Sequence, residues 1–222
     1  MEGIKVHPLS NGVGIAFLLE TPHGLYLVDS GVPGQEGRVL AKMKTLGRSD
    51  LKLIWVTHAH YDHYGSAAAL REATGAVIGV HPADAEFMIA GLSPLGTTRS
   101  YGFIYPPGLR FGMRFQPLSP TMPDFTLEDG ETLERYGLEA RVIHTPGHTP
   151  GHTCLLLAGG TAFAGDLIGG FPRLAVQNLL ATNWESLPAS LEKFKAAKPD
   201  PVYLGHRVRP ISGSALQRIK SS

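Results

Sequence analysis

Seven residues, Thr57-His58-Ala59-His60-Tyr61-Asp62-His63, constrain this chain more than any other stretch. They follow Leu51-Lys52-Leu53-Ile54-Trp55-Val56, an apolar run with the character of a buried strand. Gly65 and Ser66 come straight after, and residues 67–73 read as the start of a helix. The cluster therefore sits on a strand-to-helix turn, where short side chains can converge. Imidazole nitrogens bind zinc and similar borderline metals, and a carboxylate oxygen completes such a set. His58 and His60 are two apart, so in an extended segment they point the same way. Asp62 and His63 follow where the chain turns, so they can face a second metal beside the first.

Four further segments recur in a fixed order around this cluster. Leu25-Tyr26-Leu27-Val28-Asp29-Ser30-Gly31 precedes it, a strand running into a tight turn. Thr145-Pro146-Gly147-His148-Thr149-Pro150-Gly151-His152, Phe163-Ala164-Gly165-Asp166 and Val202-Tyr203-Leu204-Gly205-His206 come after it. Together these segments resemble the His-x-His-x-Asp-His signature and flanking motifs of the metallo-β-lactamase-fold superfamily, over most of the chain. The resemblance implies an α/β fold, a four-layer αβ/βα sandwich. It implies two divalent metal ions, the first on His58, His60 and His148 and the second on Asp62, His63 and His206. Asp166 would bridge them. Zinc suits so histidine-rich a set, and iron or manganese are the alternatives because two carboxylates join it. Asp29 is expected either to cap its turn or to orient a metal-binding histidine. His152 is expected either to act behind the ligands or to be an ordinary strand residue.

The function implied by the resemblance is hydrolysis of an ester, thioester or lactone by a metal-bridging hydroxide, with Asp62 also carrying a proton to the leaving group. The bridging Asp166 resembles the glyoxalase II type and the acyl-homoserine lactonases more than the enzymes that open β-lactams. The alternatives on the same scaffold are a mono-iron persulfide dioxygenase, a β-lactam-hydrolysing member and a phosphodiester-hydrolysing one. A net charge of +1, from 20 Lys and Arg against 19 Asp and Glu, speaks against a nucleic-acid partner.

Length favours one domain, residues 1–222. The single cysteine, Cys154, allows no intrachain disulfide and reads as a small apolar core residue. No apolar run is long enough to span a membrane and the N-terminus has no apolar signal core, so a cytoplasmic location is the expectation. Strands are expected at 4–7, 13–21, 25–28, 76–80, 138–144, 152–157, 161–164 and 202–204, the last of them closing the core, with short ones across 125–133. The turn between the first two is Ser10-Asn11-Gly12. Helices are expected at 34–46, 66–73, from Pro82, at 183–197 and at 212–219. His81 reads as a hydrogen-bonding partner at a helix start.

Residues 91–124 show no period and are rich in Gly, Pro and aromatics. A stretch of this length without a pattern is expected to be an insertion bordering the active site, lined for a small-molecule substrate with an apolar acyl part. A hydrophobic satellite cluster or a homodimer contact is the other reading. Tyr105, Phe171 and Arg207 are the candidate substrate-binding residues. Arg207 and Arg209 would hold a carboxylate or phosphate, or else be solvated surface charges.

Overall fold

Apolar residues alternate along the early strands in a way that buries both faces of a sheet. In β2 (Ile15–Thr21), Ile15, Phe17 and Leu19 join one apolar cluster, while Ala16 and Leu18 join another. The computed structural model describes residues 3–10, 12–104, 107, 114–115, 117–169 and 173–221. Within these, β1 (Lys5–Ser10), β2 and β3 (Gly24–Val28) form the expected antiparallel meander. Asn11, in the turn between the first two, lies outside the described residues.

The chain then alternates helix and strand: α1 (Glu36–Thr45), β4 (Leu51–Trp55), α2 (Tyr61–Tyr64), α3 (Ala67–Thr74), β5 (Val77–Val80) and α4 (Pro82–Ala90). Two short strands, β6 (Thr97–Thr98) and β7 (Phe125–Thr126), follow. β3, β4, β5 and β7 pair in parallel, giving a six-stranded sheet in the order β1-β2-β3-β4-β5-β7. Parallel neighbours need crossovers, and the crossover helices pack on the outer face against Leu25, Leu27, Ile54 and Ile78.

A second sheet repeats the scheme. It contains β8 (Ala140–His144), β9 (Thr153–Leu157) and β10 (Ala162–Phe163). After it come β11 (Ile168–Gly169), β12 (Ala175–Val176) and β13 (Leu180–Ala181), then α5 (Leu187–Ala196), β14 (Val202–Leu204), β15 (Arg207–Ile211) and α6 (Gly213–Gln217). The order is β15-β14-β10-β9-β8, while β11 pairs with β12 and β13 with β6. Helices α5 and α6 cover its outer face through Leu187, Leu191, Phe194 and Leu216. The inner faces of the two sheets meet around Phe17, Tyr26, Trp55, Leu155 and Phe163. Phe17 lies 5.3 Å from both Phe163 and Tyr203, centroid to centroid. Removing so buried a ring costs about 3–5 kcal/mol. Four layers result, helices outside and two sheets within.

Element ends shift, β1 running to Ser10 rather than to 7, and further details differ from the sequence reading. Beyond β14 the structure adds an edge strand that the sequence reading lacked, β15, exposed at residues 207–210, with Leu204 opposite Arg207 and Val202 opposite Ile211. Helix α5 starts at Leu187 rather than at 183, because the Asn183 carboxamide accepts the Glu185 and Ser186 N–H groups and holds a turn there. His152 precedes β9 rather than lying in it. No helix among the described residues is long and apolar enough to cross a membrane.

Candidate metal centre

Each site segment leaves the C-terminal end of a strand, at the common rim of the two sheets. Asp29 follows β3 and the histidine cluster follows β4. The His148 loop follows β8, Asp166 follows β10 and His206 follows β14. Thr153 ties the two sheets at this rim: its N–H and hydroxyl both donate to the Thr57 carbonyl, at 2.9 and 3.1 Å. The Trp55 indole N–H donates to the Thr153 hydroxyl.

The ligand-type atoms converge in three sets, each within 4.8 Å: His58, His60 and His148; His58, His63 and Asp166; Asp62, His63 and His206. The Asp166 carboxylate lies between the two outer triads, 3.5 Å from His148 Nε2, 3.5 Å from His63 Nε2 and 3.0 Å from His206 Nε2. Asp62 Oδ2 lies 3.4 Å from His206 Nε2 and 3.7 Å from His63 Nε2. His58, His63 and His148 are almost fully buried. Buried polar groups nearly always find partners, yet the Nε2 atoms of all three and Asp166 Oδ1 find none among the described residues. Gly205 makes room for this packing, because a Cβ there would lie 2.2 Å from Asp166 Oδ1.

The opposite ring nitrogens are all engaged, and this sets the tautomers. His63 Nδ1 lies 2.8 Å from Asp29 Oδ2, and His148 Nδ1 lies 2.8 Å from the Leu180 carbonyl. His206 Nδ1 meets the Val13 carbonyl. Each of these acceptors holds an N–H on Nδ1 and so turns Nε2 toward the carboxylates; at His206 that Nε2 donates to Asp166 Oδ2 at 3.0 Å, and against burial the Asp166 and Asp62 carboxylates raise the ring to about 10. His60 is reversed: its Nε2 faces the Pro94 carbonyl at 3.0 Å, so its free lone pair is on Nδ1. Asp29, with φ of 58°, also accepts the Thr57 N–H at 2.8 Å and the Thr57 hydroxyl. That hydroxyl in turn faces His58 Nδ1 at 3.0 Å. Asp29 thus contacts both Thr57 and the His63 ring.

His152 contacts the Asp166 backbone. Its Nε2 accepts the Asp166 backbone N–H at 3.1 Å, so its Nδ1 carries the proton toward the Thr145 hydroxyl. Burial pushes His152 down to about 3, which keeps it neutral. Burial and neighbouring imidazoles likewise hold His58 and His148 well below the ordinary histidine range. Burial acts the same way on His63, but the Asp29, Asp166 and Asp62 carboxylates outweigh it and raise the group to about 9. The His206, His63 and His148 rings hold Asp166 well below the usual carboxylate range against the effect of burial.

Several contributors had no sequence signal. The Gln177 carboxamide donates to the Asp166 carbonyl and the Ser93 hydroxyl accepts the Tyr61 N–H. With the Pro94 carbonyl on His60, these place the described start of the 91–124 segment against the site. The ribbon of β6 and β13 extends that contact, and the Trp184 indole N–H donates to the Thr97 hydroxyl. Arg207 is exposed at the start of β15, and among the described residues its guanidinium has no carboxylate partner. Tyr105 and Phe171 lie outside the described residues.

This fold and this rim of histidines and carboxylates define a metallo-β-lactamase-type protein. The sequence matches the Metallo-beta-lactamase superfamily over residues 11–206, and the chain belongs to that family. A beta-lactamase-like protein 2 homolog of Drosophila melanogaster is 28% identical over 196 residues, which are 86% of this chain and 57% of that protein. A hydroxyacylglutathione hydrolase of Pseudomonas aeruginosa is 35% identical over 132 residues, 54% of this chain and 37% of the relative. The chain thus spans between 37% and 57% of the length of these curated relatives. Among solved structures, a protein in a di-iron-bound form is similar with a TM-score of 0.70 at 26% identity, covering 97% of this chain and 98% of the other.

Proposed function

We propose that this chain is a dinuclear metal-dependent hydrolase acting on an ester, thioester or lactone. The observation that carries the reading is the set of buried, unpartnered Nε2 atoms of His58, His63 and His148 around Asp166 Oδ1. Buried polar atoms left without a partner are costly, and a cation removes that cost. The donor set fits divalent ions. His58, His60 and His148 would hold one, Asp62, His63 and His206 the other, and Asp166 would reach both. Nitrogen-rich triads with carboxylates favour zinc, and iron or manganese suit the same set. Bound there, such ions would supply Lewis acidity and lower the pKa of a coordinated water.

The remaining work belongs to the chain's own groups. Asp29 and Thr57 fix the tautomers of His63 and His58, so neither ring spends a proton or a rotation when substrate arrives. Neutral His152 holds the Asp166 backbone, which keeps its carboxylate between the triads. Asp62, with 17% of its side chain exposed, turns Oδ2 to His63 and His206, and its other oxygen can carry a proton to the departing oxygen or sulfur. Leu92, Phe103 and Ile104 are exposed apolar groups in or next to the segment that touches His60, which supports a substrate with an apolar acyl part. The likeness to a hydroxyacylglutathione hydrolase places thioesters first in a substrate panel.

The test is hydrolysis of a small panel of aryl and acyl thioesters, esters and lactones by the parent chain, His60→Ala and Asp166→Ala. Loss of at least a hundredfold in both variants is expected. Full rates in both variants after metal depletion would overturn the reading.

A further inference from the structure

Asp84 is a buried carboxylate that the site described above does not use. It is fully buried, at the third position of α4, and its charge sits at a helix N-terminus where the backbone dipole favours an anion. Burying a carboxylate without a cation is expensive unless it is saturated with donors. Asp84 is saturated, and by two particular segments. Its Oδ2 accepts the Ala59 N–H at 2.8 Å and the Thr149 hydroxyl at 2.7 Å. Its Oδ1 accepts the Gly151 N–H at 2.6 Å.

The addresses of those donors matter. Ala59 lies between His58 and His60, and Thr149 directly follows His148. The carboxylate therefore joins the two loops that carry the first triad, and it touches neither Asp62, His63 nor His206. Gly151 supports the same conclusion independently. A Cβ there would stand 2.6 Å from the Asp84 N and 2.8 Å from its Cβ and Cγ, so the loop approaches Asp84 as closely as backbone alone permits.

We propose that Asp84 is a positioning residue that sets the affinity of the His58, His60 and His148 triad for its metal, without acting on the other triad. This rests on the two-metal reading above. An Asn in its place cannot do the same work. Its amide must point NH2 at either the Ala59 N–H or the Gly151 N–H, and neither backbone donor can turn into an acceptor. One loop is released whichever way the amide sits.

The experiment is zinc titration against a chromophoric chelator for the parent chain and for Asp84→Asn, with thermal melting of the metal-free proteins alongside. The parent is expected to show two zinc affinities, and failure to do so would refute the dinuclear reading rather than the role of Asp84. Asp84→Asn is expected to weaken one zinc about 10–100-fold and to leave the other unchanged. In a His206→Ala background, which removes a ligand of the other triad, the same weakening should persist at the zinc that remains. Thr149→Val deletes one of the three donors at nearly constant volume, and it should weaken that zinc by a smaller factor while folding normally. Equal weakening of both zincs, or a fall in melting temperature with both affinities intact, would make Asp84 a structural residue and overturn the proposal. If Asp84→Asn does not fold, unchanged zinc affinities in Thr149→Val would overturn it equally.

Discussion

Asp29→Asn removes a charge without changing the size of the side chain, and the consequence can be worked from four hydrogen bonds. Asp29 Oδ1 accepts the Thr57 N–H at 2.8 Å and the Thr57 hydroxyl at 3.0 Å; Oδ2 accepts the same hydroxyl at 2.9 Å and faces His63 Nδ1 at 2.8 Å. The Thr57 N–H is a fixed donor, so the Asn carbonyl must take the Oδ1 place. Its NH2 then faces His63 Nδ1. Two donors cannot share that contact, and His63 is forced to move its proton to Nε2. Nε2, which lies 3.5 Å from Asp166 and 3.7 Å from Asp62, then has no lone pair to offer a metal. Loss of such support costs about 10–100-fold in metal affinity, or about 1.4–2.8 kcal/mol. The predicted effect falls on the triad of Asp62, His63 and His206. Zinc competition titration measures it, and long-range nitrogen–proton NMR of His63 reports the tautomer. A variant with both zinc affinities unchanged and an Nδ1–H tautomer on His63 would refute the reasoning.

Other outcomes are open to simple measurement. His152→Leu leaves the buried Asp166 N–H without an acceptor, and it should cost about 1–3 kcal/mol in denaturant unfolding. It should also lower kcat, whereas His152→Gln, which keeps an acceptor, should recover part of both. His81 caps α4 by accepting the Ala83 N–H, and burial together with the stacked His144 ring pushes it down to about 4. Because the folded value lies below the unfolded one, near 6.5, its contribution to stability is complete above pH 6.5 and is lost as pH falls toward 4. Asp129 and Lys193 also face this pair, with effects of opposite sign. His81→Asn keeps a cap and should therefore flatten that acid loss, by about 1–3 kcal/mol between pH 6.5 and 4. Chelation should lower the melting temperature steeply: at a thousandfold excess over its dissociation constant a single bound ion contributes about 4 kcal/mol, or about 8–16 °C in a chain of this size.

What could be read in the sequence was what is local. His58, His60, Asp62 and His63 lie on one strand-to-helix turn, and their spacing alone brings them together. The meander of β1, β2 and β3 and the helices around Glu36 and from Pro82 followed from period and punctuation, although β1 runs to Ser10, three residues past its expected end. Residues joined by distant partners were not legible. Asp84 lies 65 and 67 positions from Thr149 and Gly151, and nothing in Pro82-Ala83-Asp84 marks it apart from an ordinary first-turn acid. The ribbon of β6 and β13 pairs Thr98 with Leu180 through two residues on each side, too short to show alternation. Edge strand β15 reads Arg207-Val208-Arg209-Pro210-Ile211, a charged and Pro-bearing pattern that suits an edge and disguises a strand. The orienting carbonyls of Pro94, Leu180 and Val13 are backbone atoms, so no side-chain motif could announce them.

The most direct test of the account is the metal content of the purified chain, measured by elemental analysis and repeated after chelation and reloading. The account predicts about two divalent ions per chain, zinc foremost, bound with the loss of one ion in His60→Ala and of the other in His206→Ala. A single iron per chain, unaffected by His206→Ala, would contradict it.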